Sequence, residues 1–307
     1  MPRAALGLLE KRKVSSPTSG AKRLKLGAHM SVAGGFQNAF LAGAAAGCNC
    51  LQIFVKNQRQ WNAPKLRHEQ VVDYVEAARQ SSLSPVVAHA SYLLNLASPT
   101  AATRRRSVSA LVDELRRCEA LGVESLVLHP GSHLDSSLAA GVKNIAKSLN
   151  AVHNRSSGFR TRILLETTAG QGTSIGHRFE HLRDILGLVK APGRVGVCLD
   201  TCHLFAAGYD FRSPTGYKAV MDDLERTIQL RNVHCIHVND SKRPLGSRVD
   251  RHEHIGKGEI GARGFAHFVN DTRLIGVPMI LETPKGKDDR GRDFDRMNLQ
   301  RLRRLAR

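Results

Sequence analysis

Eight short apolar runs, each closing on a polar side chain, recur along the chain. They are Leu24–His29, Cys50–Lys56, Pro85–His89, Leu126–His129, Ile163–Glu166, Val195–Asp200, Cys235–His237 and Pro278–Glu282. Each is shorter than a core helix and reads as a strand buried on both faces. Their midpoints lie roughly 27 to 44 residues apart, which leaves room for one helix between successive strands. The intervening segments show helical spacing. Val108, Leu111, Val112, Leu115 and Cys118 share one face, with Arg104, Arg105, Arg106, Arg116 and Arg117 opposite. Leu66, Val71, Tyr74, Val75 and Ala78 repeat the pattern, and 184–189 and 221–230 supply two more helices. Eight βα units in one domain predict a (β/α)8 TIM barrel, with a doubly wound open sheet as the alternative. The barrel is favoured because its rim gathers every strand end to one centre, whereas an open sheet gathers ligands only at its switch point.

The strand ends carry the chemistry. His89, His129, Glu166, Asp200, His203, His237, Asp250, His252 and Glu282 are candidate metal ligands. Asp200 and His203 are spaced to share one side of a strand-to-helix turn, and Asp250 and His252 to point the same way from an extended loop. A single strand-end His is more often an ordinary rim residue, and a single Asp or Glu often caps the next helix. Nine such groups at one rim would repel or titrate without a cation. A catalytic zinc usually takes about three protein ligands, so nine predict three ions with a bridging carboxylate. Histidine and carboxylate without thiolate suit Zn2+, with Mn2+ as the alternative at the third site. Such a centre suits phosphate-ester hydrolysis by a hydroxide bridging two ions.

The bulk composition narrows the setting. The 307 residues carry a net charge of +19. Residues 1–25 hold seven Lys/Arg against one Glu, and 285–307 hold nine against four Asp, which leaves about +8 on the body. A basic body suits a polyanion such as DNA, and a solvated basic surface is the bland alternative. No apolar stretch approaches the roughly 20 residues of a membrane span, so no membrane partner is expected. Six cysteines without a CxxC pair suggest a reducing compartment. Residues 1–23 read as a disordered basic extension, 24–285 as the barrel and 286–307 as a basic C-terminal helix or tail. Lys11–Lys13 and Lys22–Lys25 resemble a bipartite nuclear-import signal, with a mitochondrial presequence as the alternative.

Longer motifs point further. Gly27–Gly35, Lys56–Trp61, His129–His133, Glu166–Gly172, Cys198–Asp210, His237–Asp240 and Gly246–His252 closely resemble the endonuclease IV family, the trinuclear-zinc apurinic/apyrimidinic endonucleases. The resemblance runs from about residue 24 to 285. It implies a base-excision-repair hydrolase that cuts the phosphodiester 5′ to an abasic site, leaves a 3′-hydroxyl and a 5′-deoxyribose phosphate, and clears 3′-blocked ends of double-stranded DNA. A monomer is expected. By position, His89 and His129 match ligands of a first zinc, and Glu166 a carboxylate bridging to a second. Asp200, His237 and Glu282 complete the second site, and His203, Asp250 and His252 the third. Glu166 and Glu282 are the expected catalytic carboxylates. Arg59 and Gln60 match residues that enter the duplex at the lesion, and Tyr92 and Leu93 a minor-groove wedge. His29 is expected beside the metals, not on them, and Trp61 as packing under its loop. Ala90 stands where many relatives carry Asp, and Thr167 where Asn is common. Two rivals are a sugar isomerase on a similar barrel and a non-catalytic damage-binding barrel.

Overall fold

The structure, a computed structural model, describes residues 24–307. The basic cluster at 11–13, and all of the second cluster except Leu24 and Lys25, lie outside the described residues. Lys25 belongs to the first strand, where its Nζ donates to the Ser84 carbonyl at 2.6 Å. That lysine is therefore part of the barrel.

The strands are β1 (Lys25–His29), β2 (Cys50–Phe54), β3 (Val86–His89), β4 (Ser125–Leu128), β5 (Arg162–Glu166), β6 (Val195–Asp200), β7 (Val233–His237), β8 (Asp240–Ser241), β9 (His252–Glu253) and β10 (Pro278–Leu281). β1 to β7 and β10 close a parallel barrel, with β10 pairing to both β7 and β1. That closure excludes the open sheet. β8 and β9 form a small antiparallel ribbon within the β7-to-β10 connection. The register steps by two residues at four of the eight barrel interfaces (β2–β3, β3–β4, β5–β6 and β7–β10) and not at the others. The total shear is thus eight, the value of a (β/α)8 barrel.

The inner face explains why the runs end as they do. Side chains alternate across a strand, so residues two apart share the barrel interior. Cys50, Val87, Val127, Leu164, Cys198, Cys235 and Ile280 form one buried interior cluster. Two residues further along the same strands stand Gln52, His89, His129, Glu166, Asp200, His237 and Glu282. On β1 the pair is Gly27 and His29. A Cβ on Gly27 would lie 2.1 Å from the Cys50 carbonyl oxygen, so only glycine lets the two strands approach there. The barrel is therefore filled by an apolar floor with a polar storey above it.

The helices are α1 (Asn38–Ala46), α2 (His68–Gln80), α3 (Ala101–Leu121), α4 (Leu138–Arg155), α5 (Phe179–Leu188), α6 (Thr201–Ala207), α7 (Pro214–Thr227), α8 (Gly261–Asn270) and α9 (Phe294–Leu305). In α3 the expected apolar face is buried, but Arg117 is buried with it. Its guanidinium donates to the Ala63 and Pro64 carbonyls at 3.2 and 2.7 Å, which satisfies the charge away from water. In α2 only Tyr74 is buried; Val75 is exposed and Leu66 precedes the helix. Of the two alternatives for 286–307, a basic helix or a tail, the segment forms a helix, α9. α9 packs on α1, α8, β1 and β10 and buries Leu299 and Leu302. Arg296, Arg303 and Arg304 are exposed, Arg301 donates to the Ile255 carbonyl, and the helix is an amphipathic part of the barrel wall. Lys285, just before the basic segment, pairs with Asp295 of that helix at 2.8 Å. Among the described residues no helix is long and apolar enough to cross a membrane. All six cysteines are free and buried.

Candidate metal centre

The barrel brings all nine predicted ligands to one rim. His89, Glu166, Asp200 and His237 are terminal residues of their strands, and His129 and Glu282 follow theirs by one residue. His203 lies in the first turn of α6, whose N-cap is Asp200; Asp200 Oδ1 accepts from the His203 main-chain N–H at 2.8 Å. Asp250 enters from the long β8–β9 loop and His252 from the first position of β9. Potential donor atoms converge within 4.8 Å of one another in overlapping sets: His89, His129 and Glu166; Glu166, Asp200, His237 and Glu282; Asp200, His203 and His252. Asp250 lies 3.1 Å from His203 Nε2 and 3.2 Å from His252 Nε2, which joins it to the third set.

Proton bookkeeping shows that the donor set fits cations. A main-chain carbonyl can only accept, so a ring nitrogen facing one carries the proton. His89 Nδ1 donates to Ala90 O at 2.7 Å, His203 Nδ1 to Thr167 O at 2.8 Å and His252 Nδ1 to Glu282 O at 3.2 Å. In each neutral ring the other nitrogen then presents a lone pair, and it faces a carboxylate: His89 Nε2 lies 3.2 Å from Glu166. His237 repeats the arrangement through a side chain. Gln52 Nε2 donates to Glu282 Oε1 at 2.5 Å, which turns the Gln52 carbonyl toward His237 Nε2 at 2.8 Å and fixes the proton there. His237 Nδ1 is left facing Glu166 at 2.9 Å and Glu282 at 3.2 Å. Lone pairs opposed to carboxylates repel unless a proton or a metal ion lies between them. His252 Nε2, though near Asp250, has no partner in hydrogen-bonding geometry. Imidazoles oriented by outer carbonyls, with their inner nitrogens open, are the usual form of a metal site.

The titration behaviour agrees. Burial alone would lower the imidazoles, but the facing carboxylates overcome it. Glu282 and Glu166 raise His237 well above its ordinary value, and Asp200 and Asp250 hold His252 up to about 9. Burial would raise Glu166, yet His129 and His237 pull it well below the usual carboxylate range. Protons thus gather where cations would. A thiol also stands near the third set, since Cys202 lies beside Asp250 and His252. Burial, aided by Asp200, pushes it up to about 12, and its S–H donates to the Arg251 carbonyl.

Several residues without an assigned role in the sequence hold the candidate ligands in place. Gln52 is one; a lone amide inside Cys50–Phe54 gave only the faint signal of a polar residue in an apolar strand. Asn239, within a quoted motif, donates to Asp200 Oδ2 and accepts from the Glu282 main-chain N–H, both at 2.7 Å. Asp240 accepts from the main-chain N–H groups of Ser241, Gly258 and Ile260 and so ties down both ends of the loop carrying Asp250 and His252. Thr167 uses its Oγ1 to accept from the Asp200 N–H at 2.8 Å. Ala90 orients His89 through its carbonyl, so the missing Asp leaves that ring anchored.

His29 stands beside the ligands and outside the donor sets, with Nδ1 2.9 Å from Gln52 Nε2 and 3.4 Å from Glu282. Arg59 and Gln60 are exposed on the loop after β2. Tyr92 is 58% exposed, yet its ring centre lies 5.4 Å from His89 and 5.9 Å from His129, so it overhangs the ligands. Leu93 beside it is half-buried. Trp61 packs on the core, as expected, beneath the Arg106 guanidinium at 4.3 Å.

The chain is similar to known proteins over most of its length. The sequence profile of the xylose isomerase-like TIM barrel family matches residues 40–303. A Chloroflexus aurantiacus protein named "Probable endonuclease 4" is 46% identical over 282 residues, covering 92% of this chain and 98% of that protein. A Geobacter sulfurreducens protein of the same name is also 46% identical, covering 92% and 94%. The crystal structure of endonuclease IV from Thermus thermophilus superposes with a TM-score of 0.79 at 37% identity, covering 92% of this chain and 98% of that one. A D-tagatose 3-epimerase-like protein superposes at 0.67 with 17% identity, a likeness of fold alone.

Proposed function

The chain belongs to the endonuclease IV family, and from that premise we propose that it is a DNA-repair hydrolase. Its substrate is double-stranded DNA containing an abasic site. It cuts the phosphodiester 5′ to the lesion, leaving a 3′-hydroxyl and a 5′-deoxyribose phosphate, and it clears blocked 3′ ends. The observation that carries the reading is the set of imidazole lone pairs aimed at shared carboxylates on the barrel rim, under an exposed Tyr92.

In this reading His89, His129 and Glu166 hold one ion, and Glu166, Asp200, His237 and Glu282 a second. His203, Asp250 and His252 hold a third. Zn2+ suits the donor set, with Mn2+ the alternative at the third position. Bound divalent ions lower the pKa of water to about 7 and offset phosphate charge. The chain's own residues do the rest. Gln52 and the outer carbonyls fix each ring's tautomer. Asn239 holds the Asp200 carboxylate and the Glu282 backbone at a set separation. Tyr92 and Leu93 fill the space left by the missing base, while Arg59 and Gln60 probe the duplex. A nucleotide already lacking its base has lost its stacking, so turning it toward the rim costs less than at an intact site. The protein acts as a monomer.

The test is incision of a duplex bearing one abasic site, before and after prolonged strong chelation, with metal analysis of the untreated protein. The expected result is strand cleavage 5′ to the site, loss of cleavage after long chelation, and about three ions per chain. Ketose–aldose exchange without incision would establish the isomerase rival; one ion per chain would overturn the trinuclear reading. For the basic extension, residues 1–23, the reading is nuclear import, with mitochondrial import the alternative. A fluorescent fusion of the full chain, compared with one in which Lys11, Arg12 and Lys13 are alanine, decides between them.

A further inference from the structure

β2, which contributes no predicted ligand, leads into Lys56, and Lys56 is buried. Its Nζ lies 3.2 Å from Glu114 Oε1 of α3, and both side chains are 1% exposed. A buried ion pair is weak evidence for stability, because desolvation offsets much of the attraction, and it is better understood as fixing one arrangement. Here the arrangement joins two loops. Glu114 also accepts from the Ser91 main-chain N–H, at 3.3 and 3.1 Å to its two oxygens. Ser91 precedes Tyr92 and Leu93. Its Oγ donates to the Gln58 carbonyl at 2.7 Å, immediately before Arg59. Lys56 Nζ reaches the Trp61 carbonyl at 3.2 Å, just beyond Gln60. One carboxylate therefore holds the roots of both loops, and Lys56 and Ser91 return the connection across them. α3 strengthens the same attachment through Arg106 over Trp61 and Arg117 on the carbonyls of Ala63 and Pro64.

We propose that Glu114, acting with Lys56, is a positioning residue for lesion recognition: it locks the Arg59–Gln60 loop and the Tyr92–Leu93 loop into one rigid unit. The proposal rests on the function proposed above. Locking the loops in advance removes an ordering cost that would otherwise fall on binding. Intact DNA has no space for the joined unit to enter, so the benefit falls on abasic DNA.

The experiment uses Glu114→Gln and the double variant Lys56→Met with Glu114→Leu, which fills the buried space without charge. Each is compared with the wild type for binding to a duplex with one tetrahydrofuran abasic analogue and to the same duplex intact. Melting temperature and metal content are measured alongside. We expect both variants to lose about tenfold or more of the preference for abasic over intact duplex, through weaker abasic binding, while metal content stays at the wild-type level. The double variant melts close to the wild type. Wild-type discrimination in the double variant overturns the proposal. So does metal loss in step with lost discrimination, which would mark Glu114 as a purely structural support. A wild type that binds both duplexes alike overturns the function reading, and the proposal with it.

Discussion

At the level of single residues, the candidate centre is built as much from groups that hold the candidate ligands as from those ligands themselves. Glu166 faces His89, His129, His203 and His237 at once. Glu166→Ala is expected to reduce incision to background while abasic DNA still binds in a gel-shift assay; incision at the wild-type rate would remove Glu166 from the centre. Gln52→Leu is a milder test. It leaves the His237 tautomer unfixed and Glu282 without its donor, and loss of such an outer partner typically lowers metal affinity or activity about 10–100-fold. Metal content and incision should fall together. A different histidine governs acid stability. His153 is buried, and neither ring nitrogen has a hydrogen-bond partner. Burial, with Arg194 nearby, lowers it from 6.5 to about 4. Between pH 6.5 and 4 the unfolded chain takes up a proton that the folded chain does not, so stability falls as pH falls through that window. His153→Leu should remove about 2 kcal/mol of that loss, after allowance for solvent screening. Parallel melting curves for the two proteins from about pH 7 to 4 would defeat the argument.

Among elements, the sequence was clearest where a strand ended in a chemically distinctive side chain. His89, His129, Glu166, Asp200, His237 and Glu282 could be read because each interrupts an apolar run just where the chain turns. Gln52 could not, since a neutral amide within a strand has no pattern of its own. Glu114 was hidden inside an amphipathic helix whose period is satisfied without it, and its partner lies 58 positions away. Of the helix-or-tail alternatives at the C-terminus the helix is the one formed, and its packing was hard to see because arginines dominate its composition while its buried side is only Asp295, Asn298, Leu299 and Leu302. Ending the chain at residue 293 should therefore expose those two buried leucines and part of β1 and α8. Burying one such side chain is worth about 1.5–3 kcal/mol, a large share of the stability of an ordinary domain. The shortened protein should melt far below the full chain; equal melting temperatures would restore the tail reading. The β8–β9 loop makes a second case. In Asp240→Asn, an amide N–H replaces one of the oxygens that accept from the loop backbone. The variant should lose occupancy at the Asp250–His252 position before the others, visible as about one ion fewer per chain by metal analysis.

For the molecule as a whole, closure decides what the eight strand ends can do. An open sheet would have spread the same side chains along an edge. The barrel turns them toward one axis and places the β2 and β3 loops on the same rim. The apolar floor beneath them has a consequence for exchange. Cys50, Val87, Val127, Leu164, Cys198, Cys235 and Ile280 seal the barrel from below, so in the proposed function ions would reach or leave the candidate ligands through the mouth over which DNA would lie. Substrate is then a stopper as well as a reactant. Bound abasic duplex should slow the removal of metal by a chelator relative to the free protein, and an intact duplex, held less tightly, should slow it less. Followed with a colorimetric chelator, equal release rates in all three cases would mean a second exit. In a cell, the protein would hold its ions most securely while it is at work on damage.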